Sequence, residues 1–310
     1  MDNILITTST FGKNDPGVFA PLKEKSYQYF LNPYERKLTE QEVTELISTH
    51  HPIGIIAGVE PLNRKVLVSA KGLRAIARIG IGMDNVDQVA AKELGISISN
   101  TPDGPTIPVA ELTLGMMLAL LRKIHISDAA IRRGEWVRPY GNLLYGKTVG
   151  IIGCGRIGSY LAKLLQSFSC RVLGCDAVCT EGECFSLVGL HEILTEADII
   201  SLHIPYTEEN HHLINGNRLA QMKNGACLIN AARGGLVDEE ALYESLVSGK
   251  LAGAALDSFE KEPYSGPLKD LYNVLMTAHI GSYAKEGRIM MENQAVQNLL
   301  ESLNSTGVSE

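Results

Sequence analysis

Thr148-Val149-Gly150-Ile151-Ile152-Gly153-Cys154-Gly155-Arg156-Ile157-Gly158-Ser159-Tyr160-Leu161-Ala162 lies close to the middle of a chain of 310 residues. A short apolar run leads into three glycines at Gly-x-Gly-x-x-Gly spacing, and Ile157, Leu161, Leu164, Leu165 and Phe168 follow at helical period. The pattern predicts strand, tight turn and helix. Gly153 makes the turn, Gly155 leaves room for a pyrophosphate, and Gly158 lets the helix lie close on the strand. The helix start, at Arg156 and Ile157, would then offer free N–H groups and the positive end of its dipole to the phosphates.

The following strand supplies a check. Cys170-Arg171-Val172-Leu173-Gly174-Cys175-Asp176 ends in an acid where a dinucleotide fold needs a carboxylate for the adenosine ribose hydroxyls. Ala177 and Val178 come next, with no Arg or Lys to neutralise a 2′-phosphate. Glycine turn and acid together predict NAD rather than NADP as cofactor.

The same alternation extends to both sides. Upstream, residues 3–8 read as a strand, Glu40 to Thr49 as a helix with Val43, Leu46 and Ile47 on one face, and Gly54 to Gly58 as a strand. Arg64 to Ser69 suits a helix, Leu73 to Ile79 a strand, Val86 to Leu94 a helix and Ile96 to Ser99 a strand. Breakers gather at Asn100-Thr101-Pro102-Asp103-Gly104-Pro105. Val109 to Ile124 reads as one almost wholly apolar helix, too short to span a bilayer and expected to be buried between domains or subunits. Downstream, Asp198 to Ile204, Ala226 to Asn230, Gly253 to Asp257 and Val274 to Thr277 read as strands covered on both faces, and Lys285 to Leu303 as the final helix. This predicts an α/β protein of two doubly wound parallel-sheet domains. A Rossmann cofactor domain is expected over 100–283, and a flavodoxin-like, discontinuous substrate-binding domain from 1–99 and 284–310.

Composition narrows the partners. The chain is 45% hydrophobic and 20% charged, with a formal charge of −7. Nucleic acid or an anionic membrane calls for clustered Lys and Arg, so a small molecule is the expected partner. No cationic leader or cleavage site opens the sequence, which leads to the expectation of a cytoplasmic protein. Cys170, Cys175, Cys179 and Cys184 lack the Cys-x-x-Cys pairing of zinc sites, and no metal is expected. Cys154 and Cys227 read as small buried fillers of a reducing compartment.

Three segments after strand ends carry candidate chemistry: Asn230-Ala231-Ala232-Arg233-Gly234-Gly235, Ser258-Phe259-Glu260-Lys261-Glu262-Pro263 and Ala278-His279-Ile280-Gly281. An open α/β sheet binds ligands at the carboxyl ends of its strands, so Arg233, Glu262 and His279 can converge beside the cofactor. Taken singly, each also fits a bland reading: an exposed loop charge, a solvated turn acid, a hydrogen-bonded strand-end histidine. With Arg78-Ile79-Gly80-Ile81-Gly82-Met83-Asp84-Asn85-Val86-Asp87, Asn100-Thr101-Pro102 and the glycine turn, all in order, the chain resembles the D-isomer-specific 2-hydroxyacid dehydrogenases, and within them the phosphoglycerate dehydrogenases. The resemblance runs from about residue 53 to residue 297.

That resemblance implies an NAD-dependent hydride transfer between the nicotinamide and a 2-hydroxy acid or 2-oxo acid. His279 would exchange the hydroxyl proton, Glu262 would hold the other ring nitrogen, and Arg233 would bind the substrate carboxylate through its planar fork. It implies cofactor contacts from Ile81, Ala231, Ala232 and Gly281, from Asp257 to the carboxamide, and from His203, Ile204 and Pro205 beside the cleft. His211 and His212 are expected to face solvent. Substrate contacts would come from Ala57, Gly58, Val59, Arg78, Gly80 and Arg138, besides Arg233 and His279. The backbone N–H groups of Ala57 to Glu60 are candidates for the substrate carboxylate.

One departure bears on the substrate. Animal phosphoglycerate dehydrogenases place an Arg after the strand matching Gly54 to Ile56, where this chain has Ala57-Gly58-Val59-Glu60-Pro61. The expectation is 3-phosphoglycerate or a related anionic acid, with glyoxylate or hydroxypyruvate reduction as the alternative enzyme. An NAD-sensing binding protein of the kind of the C-terminal-binding-protein corepressors is the alternative from another class; neither a long recruiting tail nor an appended regulatory domain is expected. The apolar helix at Val109 predicts a homodimer, and hinges are expected near Ser99–Thr101 and Gly281–Ala284.

Overall fold

The computed structural model describes residues 2–305, which divide into two compact units at Pro105/Thr106 and Gly281/Ser282. In the first unit lie β1 (Asn3–Ile6), α1 (Ala20–Glu24), β2 (Gln28–Leu31), α2 (Glu40–His50), β3 (Gly54–Ala57), α3 (Arg64–Ser69), β4 (Ala75–Arg78), α4 (Gln88–Glu93) and β5 (Ser97–Asn100). Its sheet is parallel throughout and ordered β2-β1-β3-β4-β5, the flavodoxin-like order. Every residue of β3 and β4 is buried, as continuous apolar strands between two helix layers must be. The last helix, Lys285–Ser305, covers one face through Met291, Ala295, Val296 and Leu299. Thr39 caps α2 with a full capping box to Glu42, and Asn63 and Asp87 cap α3 and α4. The segment after β5 stays with this unit because Thr101 exchanges two bonds with Gly80, so the division falls later than a boundary at residue 99.

At the carboxyl end of β1 and β3 the buried Glu60 carboxylate accepts the Thr7 hydroxyl and the Gly58 N–H. Burial pushes this carboxyl above the ordinary glutamate value of 4.5; the Thr7 and backbone bonds and nearby Arg78 pull it back only in part. A carboxyl raised in this way holds more protons folded than unfolded. Its stabilising neutral form is therefore intact below about pH 4.5 and lost as pH climbs through the raised value. Thermal melts between pH 5 and 8 should fall more steeply with pH for the wild type than for Glu60→Gln. Parallel slopes would show that Glu60 does not titrate in this range.

The second unit holds α5 (Thr106–Leu121), α6 (Ile124–Arg132), β6 (Thr148–Ile152), α7 (Arg156–Gln166), β7 (Arg171–Cys175), β8 (Ser186–Leu187), α8 (Leu190–Glu196), β9 (Ile199–Leu202), α9 (Gly216–Gln221), β10 (Ala226–Asn230), α10 (Glu239–Val247), β11 (Leu251–Leu256) and β12 (Val274–Met276). The parallel sheet runs β12-β11-β10-β9-β6-β7-β8, a doubly wound Rossmann order that reverses at β6. Two apolar clusters fill its two faces; α5 packs on α7, and its Met116, Met117 and Leu120 belong to one of them. The helix expected over Val109 to Ile124 runs instead from Thr106 to Leu121. The backbone enters the left-handed region at Lys123, with φ of 55°, and a separate helix, α6, begins at Ile124. Among the described residues, no helix is long and apolar enough to cross a membrane.

Candidate active site

After β6 the chain turns at Gly153, whose φ of 98° suits glycine alone. A Cβ there would stand 2.5 Å from the His203 carbonyl oxygen, and one at Gly158 would overlap the Gly153 carbonyl. At Gly155, the residue capping α7, a Cβ would meet nothing within 4 Å. The glycines thus supply the turn, the open space and the close helix packing in the order their spacing predicts. The start of α7 directs its first N–H groups and the positive end of its dipole to this side of the turn, which suits a pyrophosphate. The cradle fits a dinucleotide.

Asp176 closes β7 beside this turn. Its carboxylate accepts the N–H groups of Cys154 at 2.6 Å, Val178 at 2.8 Å and Cys179 at 2.9 Å. Burial would push the carboxyl up, but these three bonds outweigh it and hold it below the ordinary aspartate range, so the group is ionised and ready to accept ribose hydroxyls. Asp176→Ala should cost about 1.5–3 kcal/mol of cofactor binding, the worth of charge-assisted hydrogen bonds, and narrow the preference for NADH over NADPH. Fluorescence titration with both cofactors reads this; an unaltered preference would detach Asp176 from the ribose.

Arg233, Glu262 and His279 follow β10, β11 and β12, three adjacent strands of the sheet that carries the glycine turn. The Glu262 carboxylate receives His279 Nδ1 at 3.0 and 3.1 Å. A carboxylate only accepts, so Nδ1 carries the proton and Nε2 is left for exchange. His279 itself sits at a φ of 52°. Asp257 holds that conformation: buried at the end of β11, it accepts Thr277 Oγ1 at 2.5 Å, Ile280 N–H at 2.8 Å and Gly281 N–H at 2.7 Å. Beyond its expected carboxamide contact, then, Asp257 shapes the turn that presents the imidazole.

The Arg233 segment is fixed in a similar way. Asn230, buried at the end of β10, donates from Nδ2 to the Arg233 carbonyl at 2.8 Å and accepts the Ala232 N–H at 3.1 Å. Gly234 lies so tightly on the backbone of Phe259 and Glu260 that any Cβ would collide with it, which brings the Arg233 and Glu262 loops into direct contact. Reasoning from the sequence misses the part Asn230 plays, although a lone polar residue ending an apolar strand is a visible signal.

Other expected site residues are placed as follows. His203 lies beside the turn with Nε2 at 2.8 Å from Ser201 Oγ, and burial pushes its pKa down to about 4, so the ring is neutral at pH 7. Ile204 packs on Gly153, and Pro205 is exposed. The Ile81 carbonyl receives Asn100 Nδ2 at 2.7 Å, and Arg78 is buried with Nη1 on the Ile79 carbonyl. Arg138 is exposed, 5.9 Å from the Trp136 ring. Two expectations need correction. The Gly58 N–H is already directed at Glu60, at 3.1 and 3.2 Å, so it is not open to a substrate carboxylate as the chain stands. His212 is half-buried rather than simply solvent-facing: its Nε2 meets Glu260 Oε1 at 2.5 Å and its side chain is 31% exposed.

Residues 114–281 match the family model described as D-isomer specific 2-hydroxyacid dehydrogenase, NAD binding domain. The chain is 42% identical over 259 residues to a D-3-phosphoglycerate dehydrogenase of Methanocaldococcus jannaschii, a match covering 81% of this chain and 49% of that one. It is 36% identical over 294 residues to a hydroxypyruvate reductase of Thermotoga maritima, covering 91% and 96%. It spans about half the length of the phosphoglycerate dehydrogenases it matches. The solved structure of the TT0316 protein from Thermus thermophilus superposes with a TM-score of 0.89 at 37% identity, over 98% of this chain and 97% of that one. With the glycine cradle, the Asp176 carboxylate and the His279–Glu262 pair at strand ends of one sheet, these likenesses lead to one conclusion: the chain belongs to the NAD-binding, D-isomer-specific 2-hydroxyacid dehydrogenases.

Proposed function

We propose that the protein catalyses the NAD-dependent interconversion of a D-2-hydroxy acid and its 2-oxo acid. The observation that carries this reading is the His279–Glu262 contact at the ends of strands neighbouring the Arg233 loop. Bound NAD supplies the nicotinamide carbon that accepts or gives up hydride. His279 Nε2 takes the hydroxyl proton on oxidation and returns it to the carbonyl oxygen on reduction. Glu262 keeps the ring in the tautomer that allows this and stabilises the imidazolium that forms. Arg233 binds the carboxylate beside the reacting carbon and polarises the carbonyl.

The first substrate pair is 3-phosphoglycerate and 3-phosphohydroxypyruvate, supported by the 42% identity to a phosphoglycerate dehydrogenase and by Arg78 and Arg138 as candidate cations for a distal anion. Reduction of hydroxypyruvate or glyoxylate is the second reading. It is favoured by Glu60, which takes the Gly58 N–H and adds a carboxyl where a phosphate ligand would be cationic. A homodimer is proposed from the exposed aromatic run Trp136, Tyr140 and Tyr145, at 78%, 95% and 67% exposure, and sedimentation as monomer alone would exclude it. Six free thiols suit a reducing, cytoplasmic setting.

The test is NADH oxidation with 3-phosphohydroxypyruvate, hydroxypyruvate, glyoxylate, pyruvate and 2-oxoglutarate. Turnover led by the phosphorylated acid supports the first reading, and turnover led by the small acids the second. A protein that binds NADH but reduces none would be an NAD-controlled binding protein instead.

A further inference from the structure

We infer that His212 is a positioning residue that locks the Arg233 loop to the Glu262 loop, and so sets the distance between the carboxylate-binding guanidinium and the proton-exchanging pair; this rests on the reading above. His212 stands in the left-handed region at a φ of 50°, between α8 and α9 in neither strand nor helix. Its N–H donates to the Gly235 carbonyl at 2.8 Å, in the turn that begins at Arg233. Its imidazole reaches the other way, with Nε2 on Glu260 Oε1 and Nδ1 4.0 Å from Asp238 Oδ2. Glu260 lies two residues before Glu262, and its own N–H donates to Glu239 Oε1 at 2.8 Å. The same short loop therefore carries two carboxylates, each bound to a histidine: Glu262 to His279, Glu260 to His212.

The two loops touch through backbone at Gly234 and Phe259. His212 adds directed bonds to both, by main chain to one loop and by side chain to the other. Neighbouring charges make it hard to replace. Asp238, Glu239 and Glu260 surround the ring, His211 stacks on it at 3.8 Å, and Tyr206 in turn holds His211 at 3.2 Å. Without the imidazole, Glu260 loses its donor among these acids and the 258–262 loop is free to shift. A shift of about 1 Å at the reacting groups costs on the order of 100-fold in rate.

The experiment compares wild type, His212→Ala, His212→Gln, Glu260→Ala and the double alanine variant in NADH-dependent reduction of the best acid from the screen above. Loss of the tie should lower kcat by about 10- to 100-fold in either alanine variant, with the double variant no worse than the singles. His212→Gln, whose amide N–H can donate to Glu260, should recover most of it. NADH affinity and the melting temperature should stay near wild type, because the glycine cradle after β6 is untouched. An active wild type with unchanged His212→Ala turnover overturns this inference alone. So does a loss that follows melting temperature and that Gln does not rescue. A wild type that turns over no 2-oxo acid overturns the proposed function and this inference with it.

Discussion

His279→Ala should lower kcat by about 10²–10⁴-fold, the usual contribution of a positioned general acid–base, while NADH still binds with an affinity near wild type. The two readouts separate because the glycine turn and Asp176, the candidate contacts for the pyrophosphate and ribose, follow β6 and β7, whereas His279 follows β12 at the far edge of the sheet. Glu262→Gln should be milder, about 10- to 100-fold, since it keeps an acceptor near Nδ1 but removes the charge that favours the imidazolium. The turn around His279 also gives a way to check the role of Asp257. Asp257→Asn has one fewer acceptor for Thr277, Ile280 and Gly281 and should reduce kcat without any change at His279 itself. Steady-state kinetics with NADH fluorescence titration checks all three variants. A His279→Ala protein with wild-type turnover would mean that the proton goes elsewhere.

How far the sequence foretells this arrangement depends on how local each feature is. The glycine turn and Asp176 are legible because their physics is contained in a strand, a turn and a helix start: the Cβ collisions at Gly153 and Gly158 follow from spacing. The buried parallel strands are legible as continuous apolar runs. The edge strand β2, Gln-Tyr-Phe-Leu, is not, because one side of an edge strand faces no partner and its alternation is blurred. Nor is the break at Lys123, where a non-glycine residue takes a left-handed conformation with no Gly or Pro to signal it. The Arg233, Glu262 and His279 segments stand out as residue types at strand ends. Their supports do not: His212 reaches a partner 48 residues away, and nothing in Asn-His-His-Leu distinguishes a structural ring from a solvated one. Glu60 likewise sits two residues from the Gly58 N–H it occupies, yet only the tertiary structure turns it inward rather than out.

Glu292→Leu is expected to destabilise the first unit by about 3–5 kcal/mol, more than any other single charge change proposed above. Arg288 and Glu292 lie one turn apart on the last helix, with side chains only 7% and 1% exposed. Arg288 Nη2 donates to Glu292 Oε1 at 3.0 Å and to Thr10 Oγ1 at 2.9 Å, and Glu292 Oε2 accepts the Gly12 N–H at 3.0 Å. The pair therefore pins the loop after β1 to the helix. Burial pushes the Glu292 carboxyl up, against the pull of Gly12 and Arg288, which marks how costly desolvation is at this place. Removing the carboxylate leaves the guanidinium buried with its charge uncompensated, and that penalty, rather than the lost attraction, makes the single change severe. The double variant Arg288→Met/Glu292→Leu removes both charges and fills the space with apolar atoms. It should recover most of the loss, in spite of having no ion pair at all. Urea unfolding of the two single variants and the double decides between the explanations. If attraction dominated, the double variant would be as unstable as the singles; if desolvation dominates, its midpoint returns toward wild type. A Glu292→Leu protein that unfolds at the wild-type urea concentration would mean that water reaches Arg288 once its partner is gone, and that the Arg288 bonds to Thr8 and Thr10 hold the loop after β1 without it.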